Sequence, residues 1–125
     1  MKRGIYILLA VVTFLSCQKA DHNGDLGGFW KLLKLEDFAS GTITDTKEKD
    51  LFWAVQLNLM TVTGGGKGRF QHVNDSLFVQ MINIPTNSRQ AGLYNPKDER
   101  FEVVLLNRKK MILRSEYALL EFRKF

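Results

Sequence analysis

Apolar and polar residues follow two different rhythms along this chain. Residues 5–15 form an eleven-residue, mostly apolar run with neither a helical nor a strand period. From residue 28 onward the pattern becomes short runs of period two, separated by clusters of Gly, Asn, Asp and Ser. Period two sends successive side chains to opposite faces of a strand. Gly28-Phe29-Trp30 opens a strand to about Leu35 that is apolar on both faces at its start. Residues 36–50 are polar and charged and read as a loop, with one short strand near Thr42 to Thr44. Residues 51–63 make the longest regular segment. Trp53, Val55, Leu57 and Leu59 share one face, and Ala54, Gln56, Asn58 and Met60 the other, which predicts a single half-buried strand.

Gly64-Gly65-Gly66-Lys67-Gly68 then breaks the chain and reads as a turn with positive φ angles. Residues 69–73 form a short strand carrying Phe70, Asn74-Asp75 turns, and residues 76–84 return with Leu77, Val79 and Met81 on one face. Residues 85–97 are a loop long enough to cover an opening. The remainder is a meander. Phe101, Val103 and Leu105 face inward on one strand, Met111 and Leu113 on the next, and Ala118, Leu120 and Phe122 on the last. Very short connections make neighbours antiparallel. Seven to eight strands in sequential order, with one apolar face and no helix after the N-terminal run, predict an all-β fold. Its expected form is a small antiparallel up-and-down β-barrel, whose closure removes the exposed sheet edges.

The N-terminal run is preceded by Lys2 and Arg3 and followed by Ser16, the order of a secretory signal. It is too short to span a bilayer, which takes about 20 apolar residues. Phe14-Leu15-Ser16-Cys17 resembles the lipobox of bacterial lipoproteins, with Phe14 where Leu is more usual. That resemblance implies a diacylglyceryl group on the Cys17 sulfur, cleavage before Cys17 and acylation of the new amine. Stable anchoring takes two or more chains, at about 0.8 kcal/mol per buried methylene, and a lipobox protein carries three. The expected organisation is a signal peptide at 1–16, the lipidated cysteine and a flexible tether at 17–27, and a barrel at 28–125. The expected location is the Gram-negative cell envelope, lipid-anchored at the outer membrane. Lys19-Ala20-Asp21 only partly resembles the sequences that direct such proteins outward, so the periplasmic and surface sides both stay open.

Cys17 is the single cysteine, so no intramolecular disulfide is possible and the fold must stand on its core. Taking sixteen residues from 125 leaves 109, enough for one domain with its own core. Losing Lys2 and Arg3 with them lowers the formal charge from +5 to +3. No basic stripe interleaved with aromatics points to nucleic acid, and Arg108-Lys109-Lys110 reads as a solvated turn. A phosphate-binding loop ending at Gly66-Lys67 would need Gly at Thr61 and Ser or Thr at Gly68. The histidines, His22 and His72, lack companions at metal-ligand spacing, so no metal or cofactor is expected. Glu36-Asp37 and Asp98-Glu99 are neighbours that point to opposite faces and read as solvated loop acids. No serine sits in a nucleophile elbow. No catalytic residue emerges, and an enzyme is not expected.

Gly28-Phe29-Trp30 is similar to the Gly-x-Trp signature of lipocalins. Met111-Ile112-Leu113 and Leu120-Glu121-Phe122-Arg123-Lys124 look like the last two strands of small lipocalin-like lipoproteins of gut Gram-negative bacteria. The resemblance spans residues 25–125. It implies a calycin-type barrel whose first-strand Trp30 plugs the base behind Gly28, with a basic side chain from the last strand over the ring. Arg123 is the first candidate for that cation and Lys124 the second. A full lipocalin is longer and carries a helix after its barrel, so a packed interior is expected ahead of a deep cavity. If the interior is hollow, its wall would be Trp53, Val55, Leu57, Leu59, Phe70, Leu77, Val79, Met81, Phe101, Val103, Leu105, Met111, Leu113, Leu120 and Phe122. The function so implied is non-catalytic binding of a small hydrophobic ligand. The alternative is a structural or accessory envelope protein that binds a protein partner through outward Phe78, Ile82, Val104, Leu106, Ile112 and Leu119.

Overall fold

The computed structural model describes residues 24–125. The expected signal segment 1–16, the expected lipidation site Cys17, the first part of the expected tether and His22 lie outside the described residues. Nine strands follow a single 3₁₀ turn, Gly24–Leu26. They are β1 (Gly28–Asp37), β2 (Ile43–Asp45), β3 (Phe52–Gln56), β4 (Leu59–Val62), β5 (Gly66–Val73), β6 (Ser76–Asn83), β7 (Glu99–Leu106), β8 (Lys110–Arg114) and β9 (Ala118–Lys124). All neighbours are antiparallel, in the order β2-β1-β3-β4-β5-β6-β7-β8-β9, and β1 also pairs with β9. The sheet therefore closes into an eight-stranded up-and-down barrel. The short β2 continues the edge of β1 where β3 leaves it, pairing at Lys34–Asp45 after β3 has paired up to Lys31.

The pairings define two ends. The base gathers the start of β1, the end of β9 (Trp30 opposite Lys124) and the β3–β4, β5–β6 and β7–β8 turns. The mouth gathers the end of β1 (Asp37 opposite Ala118), the β8–β9 turn and a strap, residues 84–98, between β6 and β7. The interior is solid with large side chains. Trp30, Trp53, Phe101, Phe122, Met60, Leu77, Leu93, Met111, Leu113 and Leu120 are all essentially inaccessible. Burying each removes apolar surface from water at about 25 cal/mol per Å².

Four departures from the sequence pattern change which residues face inward. Residues 51–63 are not one strand. Leu57-Asn58 forms a two-residue hairpin turn, with Gln56 opposite Leu59. Leu57 sits at φ 56°, a conformation usually left to Gly in that turn position. The turn shifts the phase, so Met60 and Val62 face inward while Leu57 and Leu59 are exposed. In β7 a bulge between Val103 and Leu105 flips the alternation, turning Leu105 outward and leaving Leu106 against the core. Gly66 and Gly68 belong to β5 rather than to the turn, because Pro85 and Met81 pack where side chains would stand. A Cβ on Gly68 would lie 2.4 Å from the Gln80 carbonyl oxygen. Finally, the packed domain begins before residue 28. Leu26 is buried and its carbonyl accepts a 2.6 Å hydrogen bond from Trp30 Nε1.

Candidate functional site at the barrel mouth

The base is a structural closure. The cation over Trp30 is Lys124, with its Nζ 4.6 Å from the ring centroid, and not Arg123. The alternation in β9 explains the correction. Leu120 and Phe122 point inward, so Arg123 is exposed, while the next residue returns to the Trp30 side. Lys124 Nζ also donates to the carbonyls of Gly27 (2.6 Å) and Asp25 (2.8 Å). Gly28 stands at φ 121° with Lys124 Cδ 3.2 Å from where its Cβ would be, so the lysine passes where any side chain would crowd it.

Of the expected wall residues, Trp53, Val55, Phe70, Leu77, Val79, Met81, Phe101, Met111, Leu113, Leu120 and Phe122 are brought together in the interior, and Val103 is half-buried beside them. Leu57, Leu59 and Leu105 are outside it. Trp53 is the hub. Its ring meets Phe101 edge-on (centroids 5.6 Å apart) and Phe122 at a tilt (4.8 Å). Its indole N–H reaches toward the mouth and donates to the carbonyl of Ala91 at 2.9 Å.

That carbonyl belongs to the strap. The strap does not arch over an empty mouth; it enters it. Ala91, Gly92 and Leu93 are buried within it, and Pro85 is buried at its start. It holds its own shape, with Leu93 N–H donating to the Ser88 carbonyl and Ser88 Oγ donating to the Leu93 carbonyl, both at 2.8 Å. Such a self-packed surface loop is an Ω-type element. Gly92 is required for the fit. It sits at φ 97°, and a Cβ there would be 2.6 Å from Leu120 Cδ1.

Polar contacts fasten the strap to the rim. Tyr94 donates its hydroxyl to Asp37 Oδ1 at 3.0 Å. Its ring stacks on Tyr117 (5.5 Å, 6° between planes) and carries the Arg89 guanidinium at 4.2 Å. Asp37 also accepts from Ser40 Oγ at 2.7 Å. The Ser40 hydrogen bond and then the Tyr94 hydrogen bond hold the Asp37 carboxyl below its ordinary range. Burial, followed by the hydrogen bond to Asp37, pushes the Tyr94 phenol up. At the far end of the strap, Pro96 O accepts from Met81 N–H, and Asn95 N–H donates to Glu99 Oε1 at 3.1 Å. Glu99 is not a solvated loop acid. It starts β7 on the inward side and is only 3% exposed. Burial pushes its carboxyl up, against the lowering effect of hydrogen bonds from the Asn95 and Tyr94 backbone.

Two clefts flank the strap. One, of about 310 Å³, is lined by Leu35, Asp37, Ser40, Thr42, Thr44, Thr46, Lys49, Arg89, Gln90 and Tyr94. The other, of about 480 Å³, lies toward β7 and the β8–β9 turn. Among the described residues no group of three or more His, Cys, Asp or Glu converges to hold a metal. His72 is half-buried on β5 without such companions. Sequence reasoning expected a covering loop at 85–97 but missed that it enters the mouth, and it missed Glu99. The one available signal was Ala91-Gly92-Leu93, an apolar pair around a glycine inside an otherwise polar loop.

Comparison with known proteins agrees with this geometry. A family model described as a lipocalin-like domain matches residues 11–125. A lipocalin-like protein from Bacteroides uniformis is similar in structure, with a TM-score of 0.67 and 22% identity, covering 82% of this chain and 100% of its own. An uncharacterized protein from Bacteroides eggerthii gives a TM-score of 0.61 at 18% identity, covering 79% of this chain and 98% of its own. At these identities the likeness is one of fold. No curated protein matches the sequence. Closed eight-stranded barrel, Trp-plugged base and family match converge: the chain belongs to the lipocalin-like domain family.

Proposed function

We propose that this chain is a non-catalytic binding protein that takes a small hydrophobic or amphipathic ligand at the barrel mouth, held at the cell envelope by lipid on Cys17. The observation that carries the binding reading is the strap. Ala91, Gly92 and Leu93 occupy the mouth as a ligand would, resting on Trp53 and Leu120, while polar contacts at the rim fasten them. Polar contacts exchange readily with water and contribute about 0.5–1.5 kcal/mol net each. Lifting the strap uncovers an apolar floor, and a ligand that covers it again replaces what the strap loses.

The anchoring part rests on the lipobox-like segment and is supported by where the chain enters. Gly24 leads in at the base, the end from which a tether to Cys17 would run, and a short tether would favour a mouth turned away from the membrane. Arg108 and Lys109 in the β7–β8 turn, with exposed Phe29, Leu57 and Phe125, give that end a basic and apolar character. Such a mixture suits an anionic lipid surface.

Native mass spectrometry of the intact chain, beside a gently denatured sample, tests the binding reading. The expected result is a mass excess of a few hundred daltons that is lost on denaturation. If purified protein is bare and long-chain fatty acids or other apolar compounds neither add mass nor change Trp53 emission, the ligand reading is lost.

A further inference from the structure

The cleft of about 480 Å³ lies on the opposite side of the Tyr94–Tyr117 stack from the hydroxyl-lined cleft. Its wall carries four acids, Asp98, Glu99, Glu102 and Glu116, against two bases, Arg100 and Arg114. Both bases are engaged. Arg114 donates twice to Glu102 Oε1, at 2.6 and 3.2 Å, and Arg100 donates to Ser76 Oγ at 3.1 Å. The Ser76 hydroxyl leaves the charge of Arg100 in place, so once Arg114 and Glu102 offset each other the wall keeps Asp98, Glu99 and Glu116 against Arg100, an excess of two acids over bases.

Glu99 supplies an independent sign of a missing partner. It is more than nine-tenths buried, and Oε1 is held by Asn95 N–H, but Oε2 has no hydrogen-bond partner. Among the described residues it is the one buried side-chain polar atom in that condition. An unmatched buried acceptor costs stability, and one kept in a native fold calls for a donor, from water, an ion or a ligand. Aromatic rings stand at the same cleft. Phe78 and Tyr117 each leave 37% of their surface exposed.

These features select a ligand chemistry. An anion is disfavoured by a wall that carries more acids than bases. A divalent metal ion wants three or more converging ligands, and no such group is formed among the described residues. An organic cation matches each feature: its N–H groups supply the donor for Oε2, its charge answers the acids, and its carbon-bearing side lies against aromatic faces. We propose that this cleft binds the ammonium end of an organic amine, with Glu99 as the buried acceptor and Phe78 and Tyr117 as the apolar walls. The cleft lies beside the strap-filled interior and shares Asn95 and Asp98 with the strap, so its test reads binding of a cation at Glu99 and not the mass excess that reports an interior ligand.

Titration of the intact chain with benzylammonium, followed by the backbone amide shifts of Asn95, Glu99 and Tyr117, tests it. Benzyl alcohol and benzoate serve as neutral and anionic probes of the same size. Benzylammonium is expected to saturate these shifts, benzyl alcohol to bind at least tenfold more weakly, and benzoate not to bind. Glu99→Gln keeps an oxygen for Asn95 N–H and is expected to weaken benzylammonium at least tenfold. If that variant does not fold, Asp98→Asn combined with Glu116→Gln carries the same readout through loss of field, with several-fold weakening expected. Equal binding of benzyl alcohol, shifts centred elsewhere, or unaltered affinity in the variants overturns the proposal.

Discussion

At the scale of single residues, parity along a strand decides roles that chemical similarity would leave interchangeable. Arg123 and Lys124 are adjacent cations, yet only Lys124 lies over Trp30 and caps two carbonyls of the entry turn. Lys124→Met is expected to cost about 1–3 kcal/mol through the lost cation–π contact and charged hydrogen bonds. Arg123→Met should stay within about 0.5 kcal/mol, as exposed substitutions do. Urea denaturation of the two variants separates them. Glu99 is the second such residue. Its carboxyl is pushed up in the folded chain, chiefly by burial. The folded state therefore holds this proton more tightly than the unfolded chain. Its stabilising contribution is full below the ordinary carboxylate value of 4.5 and declines as pH rises through the raised folded value. Asp37 works in the opposite sense, stabilising above its ordinary value of 3.8 and losing that as pH falls. Denaturation midpoints measured across the acid-to-neutral range should thus move in favour of Glu99→Gln, relative to the parent chain, as pH increases.

At the scale of elements, the strap is the part whose behaviour a single change can isolate. Gly92→Ala places a Cβ against Leu120 at a positive φ, a misfit of about 1–3 kcal/mol. Because the barrel strands do not depend on that residue, the expected result is local. Trp53 emission shifts red, an environment-sensitive apolar dye binds more strongly, and amide exchange accelerates in residues 86–95 ahead of β1 and β9. Uniform destabilisation of every strand would show instead that the strap and barrel open as one unit. The strands themselves were legible wherever nothing interrupts period two. Leu77, Val79 and Met81, then Met111 and Leu113, then Leu120 and Phe122 all face inward as the alternation requires. Legibility failed where backbone geometry resets the phase without a sequence mark. Leu57-Asn58 turns without a glycine or proline, so the alternation of residue types runs through it unbroken. The β7 bulge at Val104 moves Leu105 outward although both neighbours are ordinary strand formers. The strap was legible as a covering loop, but its insertion into the mouth was hidden for a different reason. Its burial depends on a barrel mouth assembled from strands distant in sequence, and no local pattern encodes that. Glu99 is hidden likewise, since an acid beside Asp98 looks solvated until the rim closes around it.

At the scale of the whole molecule, closure of β1 against β9 joins the beginning and end of the domain. Trp30 stands opposite Lys124, and Phe125 N–H donates to Phe29 O at 2.9 Å. Entry turn, last strand and base plug are one assembly, with the strap and both clefts at the other end. On the proposed anchoring, exchanging residues 1–17 for a secretory signal cleaved ahead of Gln18 should move the protein from the membrane fraction to the soluble fraction without changing its denaturation midpoint; a cleaved variant that stays in the membrane fraction would sink that part. The same closure sets a load path. Tension from a tether reaches Gly28 and runs along the axis of β1, whose ladder bonds to β3 on one side and β9 on the other lie across that axis. They are loaded together, in shear, rather than peeled one at a time. On the proposed anchoring, a pull on the leash would be taken up first by these ladders at the base, away from the rim contacts that fasten the strap.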